Sequence, residues 1–368
     1  MKEQRYPIAI AAVLITTLFV GAPDPAFAAD PPVTYYVAQS GTAAGTPGDG
    51  TSCAAPDYVE LPAGDDDAAI TAAIGVATSG DTIHLCAGTY DIGSPLTITG
   101  HALTFEGAGA GNTILDGGTD TQIMTSDSAL TIRDLTFMRG HAISGGAIYT
   151  EGEAEVSSSR FIDNNAVFNG GAITGEVSIT VTSSIFSFNT AAGAGAIWST
   201  GGVNIKDSTF TENTATGTAG AVLAGTASIK GGRFTGNAAQ YAGAVHVYET
   251  ATIDRSFFTR NVASHYAGAF LAPTAVIRFS EFSLNRASWY AGAVVLYEVE
   301  ARDLAQMRRN RFTRNVADRA GAVNLERCGT TPTLVEGRRV ERENSFVANR
   351  ATELRRTANI QLTMDDCD

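Results

Sequence analysis

One phenylalanine recurs along this chain at a nearly fixed interval, and that interval narrows the possible folds more than any other feature. Phe137, Phe161, Phe186, Phe210, Phe234, Phe258 and Phe282 are separated by 24, 25, 24, 24, 24 and 24 residues, and Phe312 and Phe346 follow after 30 and 34. Three residues after each, from Phe161 onward, stands an asparagine: Asn164, Asn189, Asn213, Asn237, Asn261, Asn285, Asn315 and Asn349. Six or seven residues beyond the first seven of these comes Gly-Ala followed by Ile, Val or Phe, as in Gly171-Ala-Ile and Gly243-Ala-Val. A fixed period of this length is the mark of a repeat architecture.

The local pattern selects among repeat architectures. "GAVHVYE" and "ATIDRSFF" alternate apolar and polar residues over short runs, which is strand periodicity. Short strands every 24 residues predict an all-β fold, a single parallel β-helix solenoid of eleven or twelve coils. Stacked coils lie about 4.8 Å apart, so equivalent residues form columns. Phe then fills an inner column, Gly-Ala lets the backbone turn close to the next coil, and the asparagines form a buried hydrogen-bonded ladder rather than a catalytic set.

The ends read differently. Lys2 and Arg5 precede an apolar run from Ile8 to Ala22, and Ala26-Phe-Ala28 supplies small residues at a cleavage site. Residues 1–28 are therefore expected to be a signal peptide, making the protein secreted or cell-surface. Residues 29–100 are expected to form an N-terminal cap and the opening coils, 101–349 the regular coils, and 350–368 a C-terminal cap. Within the first cap, Ile70, Ala73, Ile74 and Ala77 share one helical face behind Asp65, Asp66 and Asp67. That predicts a short capping helix with acids at the positive end of its dipole. No later stretch is apolar enough to span a bilayer, so no transmembrane segment is expected in the mature chain, which is read as a monomer.

Four cysteines allow three pairings. In an elongated solenoid only Cys53–Cys86 and Cys328–Cys367 are near enough to bond. The net charge of −13 is uneven: residues 29–230 hold 21 acidic and 5 basic side chains, residues 231–368 hold 15 and 18. An overall acidic chain with this distribution argues against nucleic acid as a partner.

The Gly-Gly-Ala-Ile phrases (Gly145–Ile148, Gly170–Ile173) with Phe-x-x-Asn resemble the repeats of chlamydial polymorphic outer membrane proteins. "YYVAQSG", "GDTIHLCAGTY" and "LTITG" are similar to the first coils of pectin-lyase-like right-handed β-helices. The first resemblance implies a surface-exposed, adhesin-like protein; the second implies the fold, which hosts lyases, hydrolases and binding proteins alike. The Asn-Thr-Asp, Gly-His-Gly and Arg-Ile-Lys phrases of polygalacturonase-like hydrolases are absent, as are the Trp-x-Asp-His and Arg-x-Pro-x-x-Arg phrases of pectate lyases.

Geometry sorts the remaining candidates. Asp134 and Asp207 share a column three coils apart, about 14 Å, too far for a glycosidase pair. Glu151 and Glu176 should stand one coil apart, about 5 Å, with Tyr149 and Trp198 in the outward column beside them. They are the catalytic candidates, or else a solvated acidic turn; a cation such as Ca2+ would suit them, though no cofactor or metal site is otherwise read. Tyr241, Tyr266 and Tyr290 precede successive Ala-Gly-Ala phrases, with Trp289 adjacent. They are either a ligand platform or a stacking ladder. Arg308, Arg309, Arg338 and Arg339 lie in the two long periods near Glu298 and Glu300 and would meet the end of an acidic polymer running along the tyrosines, or else Cys328 simply staples a longer, solvated C-terminal cap there. The five histidines show no ligand spacing. Two functions remain open: a non-catalytic surface protein binding polysaccharide or cell-surface glycan, and a polysaccharide lyase or glycoside hydrolase acting on an acidic polysaccharide.

Overall fold

A single coil shows how the sequence becomes structure. After Gly243-Ala244 the chain forms strands Val245–Val247, Thr250–Asp254, Phe257–Thr259 and Val262–Ala263, then reaches the next Gly-Ala. Each strand pairs in parallel and in register with its equivalents above and below: Phe258 faces Phe234 on one side and Phe282 on the other. The computed structural model describes residues 31–39, 51–59, 66–298, 307–328, 340, 342–352 and 360–365. These form a parallel β-solenoid of the right-handed type with one short helix. Three sheets of 20, 11 and 9 strands wrap it. The largest comprises two adjoining faces, joined where Ile197–Lys206 and Val222–Lys230 run through the corner as continuous strands. The phenylalanine face has eleven strands, hence ten turns from first to last, slightly fewer coils than the upper expectation.

The columns fill the tube. The nine phenylalanines of the repeat column, Phe137 to Phe346, stack on their neighbours, with centroids 4.7–5.1 Å apart and planes within 2–9°. Ile, Val and Leu columns close the rest of the core. The strands that bear Phe137 through Phe312 are each entered and left through a residue in left-handed backbone, such as Arg255 (φ 46°) and Arg260 (φ 55°). Even Phe279 and Leu284 take this conformation, which costs a non-glycine residue on the order of 1 kcal/mol. What holds them there is the buried polar residue that follows each one.

After the second bend that residue is the ladder asparagine. Asn237 Nδ2 donates to the Phe210 carbonyl and to Asn261 Oδ1, both at 3.0 Å, while its own Oδ1 accepts from the backbone N–H and the Nδ2 of Asn213. Every donor and acceptor of the side chain is used, so a fully buried amide is tolerated. After the first bend a second ladder runs that the sequence does not announce. Ser159, Ser184 and Ser208, then Ser256 and Ser280, accept backbone N–H groups from the coil before; Asn310 and Asn344 take over at the end.

Gly-Ala behaves as expected. A Cβ on Gly243 would lie 2.0 Å from the Gly268 carbonyl oxygen, so the backbones approach too closely for any side chain.

The capping helix is Asp67–Val76 and buries Ala69, Ile70, Ala73 and Ile74. Asp66 stands at its N-cap and Asp67 in its first turn, at the positive end of the dipole as expected, although Asp66 makes no side-chain cap. Instead Asp66 Oδ2 accepts from the Asp91 N–H and Asp67 Oδ2 from the Ser94 N–H. The carboxylates pin the helix to the first coil. Cys53 and Cys86 are disulfide-bonded. The Cys328 side chain and Cys367 lie outside the described residues, as do the expected signal peptide, Asp65, Glu300, Arg338, Arg339 and most of the C-terminal cap. No helix among the described residues is long and apolar enough to cross a membrane.

Candidate functional site

The face that follows Gly-Ala carries most of the predicted residues. Its strands point one side chain per coil outward, and register makes these a single column: Thr125, Tyr149, Thr174, Trp198, Leu223, His246, Leu271, Val295 and Asn324. Two residues further along each coil a second outward column contains Glu151, Glu176, Tyr248, Tyr297 and Glu326. The tyrosines before Ala-Gly-Ala border the same face from the other side. Two clusters read separately in the sequence thus belong to one surface.

At the N-terminal end Glu151 and Glu176 are adjacent, since Thr150 pairs with Gly175, and both are exposed. The Tyr149 hydroxyl donates to Glu176 Oε1 at 3.4 Å. Burial, then the charges of Glu176 and Glu151, push the Tyr149 hydroxyl pKa up. Tyr149 and Glu151 line a shallow hollow of about 180 Å³ with Thr97, Thr125 and Asp127. Trp198 stands two coils away and packs against Ala194, Ala219 and Leu223.

At the C-terminal end Tyr241, Tyr266 and Tyr290 stack at 5.5 and 4.9 Å. Trp289 meets His265 edge-on at 4.6 Å. Stacked rings cover one another's faces, so the column is a stiffening ladder that presents edges and hydroxyls, with the outer face of Tyr241 open above Thr218. The ladder's far end is closed by a residue the sequence reading passed over. Arg319 precedes Ala320-Gly-Ala as the tyrosines precede theirs, and its guanidinium lies 4.7 Å above the Tyr290 ring, a cation–π contact.

Beside this ladder lies a groove of about 390 Å³, walled by Tyr241 and Tyr266 on one side and Tyr248, Tyr297 and Glu326 on the other. Its floor is His246, Leu271 and Val295. Burial pushes the Tyr297 hydroxyl up to about 12 and drives His246 down to about 4. His246, one of the five histidines that show no ligand spacing in the sequence, is 9% exposed and part of the floor. Tyr248 and Tyr297 were legible in principle: each lies three residues after Val245 or Val294, as Glu151 lies three after Ile148.

Arg308 and Arg309 do not join this surface. Arg308 bridges Arg278, and Arg309 adopts the left-handed bend (φ 55°) before the phenylalanine face, stacked 5.5 Å over Phe279. The surplus residues of the long period are absorbed before residue 307, and the chain rejoins the register at that other corner.

No family model and no curated protein matches the chain. Among solved structures, the catalytic unit of a thermostable GH87 alpha-1,3-glucanase from Streptomyces thermodiastaticus superposes with a TM-score of 0.31 and 14% identity, over 79% of this chain and 66% of that one. A superposition that loose transfers no residue from one protein to the other.

Proposed function

We propose that this is an exported β-solenoid that binds a glycan along one face without cleaving it, with a surface or adhesin-like role. The observation that carries the reading is the groove: a largely apolar floor of His246, Leu271 and Val295 between two walls that carry four tyrosines, running along the coil axis. Sugars offer alternating C–H faces and hydroxyls, and such a lining of aromatic edges, hydroxyls and a few polar groups suits them. Export rests on the leader read over residues 1–28, and the adhesin-like role on the resemblance of the repeats.

The carboxylates favour binding over hydrolysis. Glu151 and Glu176 occupy the same position on adjacent coils and point the same way, whereas glycosidase carboxylates flank the scissile bond. His246 and Glu326 are three coils apart, about 14 Å. The deciding experiment exposes the full chain to a glycan array beside reducing-sugar and unsaturated-product assays. Binding without product is expected; product formation that is lost in Glu151→Gln or Glu176→Gln would establish the enzymatic alternative.

A further inference from the structure

A second hollow, of about 320 Å³, lies on the phenylalanine side of the tube and crosses three successive coils. At the bend that enters this face the three coils place Asp207, Gly231 and Arg255; on the strand beyond it they place Thr209, Arg233 and Phe257. Gly231 is at the centre of that block. Its left-handed backbone (φ 69°) does not require glycine, since Asp207 (φ 49°) and Arg255 (φ 46°) hold the same bend on the coils to either side. What glycine does here is leave room. A Cβ on Gly231 would lie 2.2 Å from Asp207 Oδ1, so the Asp207 carboxylate borders the space that the missing side chain vacates.

The charges around this space are unmatched. Lys230, which also lines the hollow, and Arg233 are both exposed, and among the described residues neither makes an ion pair or a side-chain hydrogen bond. Asp254, the register partner of Lys230 on the next coil, is bonded instead to Arg255 at 2.5 Å. On the coil before, the register partner of Lys230 is Lys206. Coils lie about 4.8 Å apart, and like charges stacked so closely repel. Two of the three lysines in a chain of net charge −13 are thus placed against each other. Arg233 is held in position without an acid: its guanidinium lies 4.6 Å above the Phe257 ring, a cation–π contact.

We infer that this hollow is a second ligand site, for an acidic sugar, in which Lys230 and Arg233 take the anionic group and Asp207 takes a hydroxyl beside it. It stands independently of the tyrosine groove. An ammonium offers three donors and a guanidinium five, and with no carboxylate of the protein on either, both can serve a uronate carboxylate or a sulfate ester. Such charge-assisted bonds are roughly twice as strong as neutral ones, and an anion here also relieves the repulsion between Lys206 and Lys230. Asp207 narrows the class further. Its carboxylate only accepts, so it repels a bare anion and favours a ligand that carries a donor next to its charge. An acidic sugar meets both demands, because hydroxyls stand on the ring carbons near the acid group. Inorganic sulfate meets only the first.

The test is lysine acylation of the full chain, mapped by mass spectrometry, with an oligogalacturonide, a heparin-derived oligosaccharide, a neutral cello-oligosaccharide or inorganic sulfate added. At saturation at least one of the two acidic sugars should slow acylation of Lys230 about tenfold or more, and which one does so identifies the acid group. The neutral sugar and sulfate at equal concentration should leave Lys230 unprotected. In calorimetric titration, Arg233→Ala should weaken the protecting sugar about tenfold, with a larger loss at low salt than at high salt. No protection of Lys230 by either acidic sugar would overturn the inference. So would equal protection by sulfate, which would mean that only charge is read, or unaltered affinity in a folded Arg233→Ala. The acylation map needs no substitution, so it decides the site even if the variant fails to fold. None of these outcomes bears on glycan binding in the groove, which the array decides separately.

Discussion

A buried imidazole with no partner for Nδ1 leaves a signature in stability against pH. His246 titrates near 4 when folded against 6.5 when free, because burial penalises its charged form. Between those values the unfolded chain takes up a proton that the folded chain refuses, so acidification favours unfolding. The contribution is fully present above about pH 6.5 and is lost as pH falls towards 4, roughly 3 kcal/mol in all. The groups facing the imidazole across the groove are Tyr241, Tyr248, Tyr266, Tyr297 and Glu326. Denaturant melts of the wild type and His246→Leu at stepped pH should therefore separate in acid, the variant losing less stability across that window. Parallel curves would show that His246 is not held neutral. Sequence alone could not find this residue, because a histidine in an outward strand position reads as solvated until its neighbours in three dimensions are known.

The stacked column is the next scale, and here the sequence was a good guide wherever chemistry demanded one residue type. Only asparagine can donate to a carbonyl and to the next amide while accepting from two N–H groups, so it recurs on eight coils and is visible by eye. The companion ladder needs just one acceptor, which Ser159, Ser184 and Ser208 supply as well as Asn310 and Asn344 do, and Gly232 dispenses with the side chain altogether. Its mixed composition hid it. The two ladders should differ in cost accordingly. Asn237→Ala orphans the Asn213 N–H and amide, the Phe210 carbonyl and a site on Asn261, so a loss of at least about 3 kcal/mol is expected. Ser208→Ala leaves the Ser184 N–H unmet, while the Lys206 carbonyl loses the serine hydroxyl but keeps the Ser183 N–H, which predicts about 1–2 kcal/mol. Equal losses in chemical denaturation would contradict this account of the bends. Gly243→Ala tests the close approach between coils: with backbone 2.0 Å from the new methyl there is no side chain to move, and a loss beyond about 3 kcal/mol, or failure to fold, is expected.

For the whole molecule, what matters is the corner of the tube at which a residue emerges. Counting along the sequence placed the tyrosine ladder correctly, since it adjoins the Gly-Ala phrase that fixes its register. It could not place Arg308 and Arg309, because a long period gives the number of extra residues but not the point at which the chain rejoins the column. The chain rejoins at the bend before the phenylalanine face, where Arg308 continues the column of Arg278 and Arg309 that of Arg255 and Phe279. The second wall of the groove was missed for a related reason. Its column reads Glu151, Glu176, Thr200, Gly225, Tyr248, Pro273, Tyr297 and Glu326, too varied to register as a pattern. These placements separate two sets of variants that the linear sequence would group together. Tyr248→Ala and Tyr297→Ala each remove an aromatic wall contact, which at about 0.5–1.5 kcal/mol predicts about twofold to twelvefold weaker glycan binding. The Arg308→Ala/Arg309→Ala double variant alters a corner that the groove does not touch. It should bind the same oligosaccharide with unchanged affinity at low and at high salt, with melting temperatures recorded for all variants to confirm folding. Loss of binding in the arginine variant, with the tyrosine variants unaffected, would move the ligand to the phenylalanine side of the solenoid and displace the groove as its site.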